Sequence, residues 1–173
     1  PNGDILFARW EPVAVRNRFA IFRSTPEGTD LFVLYGAHSP GNSYLHPRDM
    51  DPRGRYNGQI MSSLMPLSRT QEGGSLQLID AARYSEYNTP ANSTVPAAGG
   101  QVSPTERTLS DGMGLSAFGR APTPYPLWDG SDRVLLAWRP CEITRDGVVA
   151  ACATLTPAEL AALQDDTLTR AQR

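Results

Sequence analysis

A chain of 173 residues has the length of one ordinary domain or of part of one. Its 40% hydrophobic and 20% charged residues are those of a globular protein, and a formal net charge of -2 supplies no basic field for nucleic acid. No apolar run reaches the ~20 residues that a membrane-crossing helix needs, while 15 Gly and 15 Pro point to short strands and many turns.

In chain order, Pro1 stands directly before a strand, so the sequence reads as a processed or excerpted segment. The first predicted strand is Asp4–Pro12, apolar and ending in Trp-x-Pro. Two β-rich runs follow, Phe19–Arg23 and Asp30–Tyr35, on either side of the turn-forming residues Ser24–Thr29. The loop after them holds His46, Asp49 and Asp51, a histidine near two carboxylates that is a weak metal-ligand candidate. Its prolines favour a solvated turn instead. Strands are expected again at Gly58–Pro66 and Gly74–Asp80.

Periodicity then fades through a loop-rich insertion over 81–126, in which Asn88–Pro104 reads as exposed loop. Asn92-Ser93-Thr94 is a glycosylation sequon there. Gly112–Ala117 imitates a dinucleotide-binding glycine fingerprint but follows no strand, and Ser116 lacks the second glycine of a nucleophile elbow. No catalytic residue and no cofactor-binding residue is expected anywhere in the 173 residues. The chain has no CxxC and no CxxCH haem-attachment sequence.

Asp132–Pro140 is a further strand, and Cys141 and Cys152 lie symmetrically about Asp146-Gly147. A two-residue type I′ turn at that dipeptide sets Arg145 against Val148 and Cys141 against Cys152. Directly opposed residues approach closely enough for a disulfide, and an oxidised bridge implies a periplasmic or extracellular setting. Thr156-Pro157-Ala158-Glu159 then has the form of a capping box with proline at the first helical position. Leu160, Leu163 and Leu168 give that helix a rough apolar face, and 156–173 is expected as a short helical insertion.

Three of these strands share one shape. Asp4–Pro12 and Asp132–Pro140 match in Asp, Trp and Pro at identical spacing, and Gly58–Pro66 is a weaker copy with Leu64 in the slot of Trp10 and Trp138. Proline lacks an N–H, so each copy is expected to be a short strand with a defined exit. The copies are spaced more widely than the ~40–50 residues of typical propeller blades, which long loops would explain. The expected fold is therefore all-β: about three partial antiparallel β-propeller blades over 1–155, an incomplete propeller with long loops.

The residues carry a family resemblance as well. Gly3–Trp10, Pro26–Thr29 and Tyr35–Ser39 resemble the TolB-like β-propeller repeats of large exported bacterial proteins, and Asp51–Arg55 resembles their Pro-Asp-Gly turn. Tyr125–Val134, through Trp138 and Cys141, is similar to proteins related to the middle propeller domain of the hydrazine synthase α subunit. The likeness covers most of 3–80 and 120–152. It implies a scaffold and no catalytic activity, because that family's chemistry belongs to flanking c-type haem modules. The expected role is a scaffold or binding module of an exported protein that presents loops to other protein subunits or to the rest of its own chain. Alternatives are the non-catalytic part of a multihaem enzyme and, if the repeat is accidental, a small β-sandwich carbohydrate-binding domain.

Overall fold

The computed structural model describes residues 3–13, 16–67, 73–90 and 99–164. The sequon at Asn92, the start at Pro1 and Leu168 lie outside the described residues. Strand β1 (Ile5–Val13) forms a long antiparallel hairpin with β2 (Arg16–Ser24), paired from Ile5 opposite Ser24 to Val13 opposite Arg16. Pro12 does not end this strand; it sits within the ladder, opposite Asn17. The edge position of β1 in its sheet explains the tolerance, since a proline there need not donate to a further neighbour.

β2 turns back into β3 (Phe32–Tyr35), and its first half lies parallel to β4 (Ser43–Asp49) at Phe19 and Ser43. From β4 the sheet runs as an antiparallel meander through β5 (Ile60–Met65), β6 (Ser75–Ile79) and β7 (Gln101–Val102). Side chains alternate across a strand, and here both faces of the sheet are covered. Ile60, Leu64 and Ile79 pack with Ile21, Tyr35 and Tyr44 on one face. Met61, Leu76 and Leu78 pack with Met50, Leu109 and Ala121 on the other. Double coverage explains why all five residues of β6 are buried.

The serines at the middle of β5 are consistent with burial because each is bonded. Ser62 Oγ donates to the Leu45 carbonyl at 2.9 Å, and Ser63 Oγ to those of Ala121 and Pro122 at 3.0 and 2.8 Å. Tyr35 and Tyr44 meet edge to face with ring centroids 5.5 Å apart. The Tyr35 hydroxyl donates to Asn88 Oδ1 at 2.7 Å, which ties the start of the long insertion to the core. Burial pushes this phenol up to about 12 and pushes Tyr44 up as well, so both remain protonated hydrogen-bond donors.

Two small sheets follow: β8 (Pro124–Pro126) with β9 (Val134–Leu136), and β10 (Glu142–Arg145) with β11 (Val148–Ala151). The three copies of the strand motif are thus β1 at a sheet edge, β5 at a sheet centre and β9 in a separate pair. The protein is mostly β, with several sheets, none of them closed. A 3-10 turn (Cys152–Thr154) leads to the helix α1 (Pro157–Gln164). Its capping box forms in both directions: Glu159 N donates to Thr156 Oγ1 at 3.3 Å and Thr156 N to Glu159 Oε2 at 2.8 Å. Among the described residues no helix is long and apolar enough to cross a membrane.

Candidate binding groove

The turn Asp51–Arg55 and the segment Trp128–Arg133 are locked together by one carboxylate. Asp51 is 1% exposed and accepts from its own turn, from Arg53 N at 2.9 Å and the Arg53 guanidinium at 3.2 Å. It also accepts from Gly130 N at 2.7 Å, 79 positions away in sequence. The Arg53 side chain and the two backbone donors hold its carboxyl below the usual carboxylate range. Arg53 in turn donates to the Trp128 carbonyl. The approach is close enough that a Cβ at Gly54 would collide with the Asp132 carboxylate.

This clamp sets one wall of an open groove of about 550 Å³. The start of β1 contributes Asp4, Ile5 and Leu6, the end of β4 contributes Pro47, Arg48 and Asp49, and Tyr125–Trp128 closes the far side. The Trp128 indole N–H donates to the Asp49 carbonyl at 3.2 Å, so the ring is held at its edge while half its surface stays exposed. Arg48 lies over the Tyr125 ring, 6.0 Å from its centroid. Burial raises the Asp49 carboxyl above its ordinary value, and the Asp4 carboxylate adds to the shift.

The three metal-candidate residues occupy different surroundings. His46 is exposed, with φ 53°, in the bulge that shifts the β4–β5 register between Leu45 and Arg48. Asp49 lines the groove, and Asp51 is occupied by the clamp. Among the described residues no group of three or more His, Cys, Asp or Glu is arranged to hold a metal ion. Gly112–Ala117 turns out to be part of a different device. Arg120, 3% exposed, donates to the carbonyls of Ser110, Gly112 and Gly114 at 2.9, 2.8 and 2.6 Å, and so pins that loop. Ser116 Oγ accepts from Ser110 N within the same loop.

Cys141 and Cys152 form a disulfide, with Cα atoms 5.3 Å apart. The hairpin register is the one its turn dictates, Arg145 opposite Val148, with Asp146 and Gly147 at φ 52° and 78° as a type I′ turn requires. This hairpin is poorly covered: Val148 and Val149 are 66% and 64% exposed. Leu135 in β9 and Trp138 after it are equally open, at 66% and 59%. A second, largely apolar groove of about 700 Å³ lies beside the bridge, lined by Leu109, Phe118, Leu136, Trp138 and Cys141. No protein-family model matches the chain, and no curated protein or solved structure matches it either.

Proposed function

We propose that the chain is a β-rich binding scaffold of an exported, periplasmic or extracellular protein, and that it presents its C-terminal third to another protein subunit. The observation that carries this reading is the apolar surface left open there. Leu135, Trp138, Val148 and Val149 are all more than half exposed, and Trp138 lines an apolar groove, in a segment whose hairpin is tied by a disulfide. Concentrated exposed apolar surface marks interaction sites, and a two-stranded hairpin is marginal in water without further packing. The bridge keeps that hairpin formed while its sides remain free, and bridges of this kind persist outside the reducing cytosol.

Within this reading the finer architecture is that of TolB-like propeller blades. In its favour, the meander β4–β7 has the four antiparallel strands of one blade, and the repeated motif falls on every fourth strand, at β1, β5 and β9. The unequal positions of those strands in their sheets count against a regular array.

A photo-crosslinking residue at Val149, in the protein made by its own cells, tests the reading. A discrete adduct with one other polypeptide is expected at Val149 and not at Glu27, exposed at the tip of the β2–β3 turn. Absence of any adduct at Val149, or equal labelling at both positions, would remove the basis for a specific protein partner.

A further inference from the structure

The groove between β1, β4 and β8 has a chemistry unlike that of the apolar C-terminal surface. Two aromatic rings, Tyr125 and Trp128, are each more than half exposed on its wall. Trp128 is fixed by its N–H bond to the Asp49 carbonyl and by the Arg53 bond to its own carbonyl, so its face is a pre-set platform. The charged lining is two carboxylates and one guanidinium. Asp4 and Asp49 supply carboxylates, Arg48 supplies a guanidinium, and Arg23 lies 3.6 Å from Asp4. Asp49 is only half-buried, yet its carboxylate makes no hydrogen bond or ion pair with another described residue.

We propose that this groove binds a neutral oligosaccharide. Sugar rings present an apolar C–H face that stacks on an aromatic platform, and hydroxyls that can both donate and accept. Carboxylates accept those hydroxyl protons, and Arg48 donates to the hydroxyl oxygens. With Arg23 pairing Asp4 from outside the lining, no single sign of charge dominates the groove, which disfavours a strongly ionic ligand, and its carboxylate acceptors disfavour a proline-rich peptide, which brings few donors. The volume of about 550 Å³ lies in the range of small-molecule sites and suits several linked rings more than one ion. The assignment does not depend on the protein-partner reading, since it uses a different surface and a different ligand class.

The test is titration of the intact, oxidised protein with cellohexaose, chitohexaose and maltohexaose, each separately, and with a decaproline peptide, read by calorimetry and tryptophan fluorescence. Saturable binding of at least one hexasaccharide is expected, with Trp128→Ala and Tyr125→Ala each weakening it by about tenfold or more. Asp49→Asn, which keeps the shape and removes the charge, is expected to weaken it without altering the fold. Val149→Ser should leave it unchanged. No saturable binding by any of the three sugars at millimolar concentration overturns the proposal, as does binding that survives both aromatic substitutions or that occurs with decaproline alone.

Discussion

At the scale of single residues, two aspartates two positions apart behave in opposite ways. Asp51 is favoured in its ionised form by Arg53 and by the Gly130 N–H. Its stabilising effect is therefore complete above the unfolded carboxyl value of about 3.9 and is lost as pH falls through the lower folded value. Asp49 is raised by burial, so its charge costs stability at neutral pH, and that cost disappears as pH falls from above the folded value to the unfolded one. Asp51→Asn should lower the thermal midpoint at pH 7, with the gap to the parent protein narrowing as pH falls below the unfolded value of about 3.9. Asp49→Asn should raise the midpoint at pH 7 and make no difference in the same acid range. A pH-independent loss in Asp51→Asn would mean that the clamp works by shape and not by charge. The sequence placed Asp51 in a turn and drew attention to its carboxylate. It offered no sign of the Gly130 bond, because a contact across 79 positions has no local pattern. Arg120 was missed for the same reason: nothing local distinguishes a buried arginine from the scattered exposed ones.

At the scale of elements, the parts written in short-range chemistry were legible and the parts set by neighbours were not. The Asp146-Gly147 turn fixed a register, and the register fixed a disulfide. Thr156 and Glu159 fixed a helix start. Pro12, by contrast, suggested a strand end, and the strand continues because it lies at a sheet edge, which only the tertiary arrangement decides. The bridge closes a loop of 11 positions, for which the chain-entropy estimate gives about 2–3 kcal/mol. Replacing both cysteines by alanine should concentrate its effect in the hairpin, because among the described residues β10 and β11 pair only with each other. Amide exchange from Glu142 to Ala151 is expected to accelerate by about tenfold or more while Ile60–Met65 keeps its protection. Uniform acceleration across both segments would instead make the bridge part of the global fold.

At the scale of the whole molecule, stability is unevenly distributed. Among the described residues, three clusters of buried apolar side chains draw mainly on β1 to β6, on Leu109 and Ala121, and on β9, and none includes a residue beyond Leu136. Repeated motifs in the sequence suggested equivalent blades of equal standing. The double coverage of β5 and β6 replaces that picture with one dominant sheet and peripheral hairpins. The difference arises because the motif records strand chemistry, whereas coverage depends on where Leu109, Ala121 and their neighbours return to the sheet. A protease that cuts before exposed aliphatic residues should sense this unevenness. Thermolysin, acting on the oxidised protein, is expected to make its first cut among the described residues at Val148 or Val149, beside the turn and inside the loop closed by Cys141 and Cys152. The nicked protein then gains the mass of one water yet stays in one piece, and it separates into two fragments when the bridge is reduced. Cuts before Leu64 or Leu76, at 1% and 4% exposure in the doubly covered sheet, require that sheet to open and should come much later. Early cutting at those leucines would show that the sheet is no more stable than the hairpin, and the division into a stable sheet and a presented hairpin would fail.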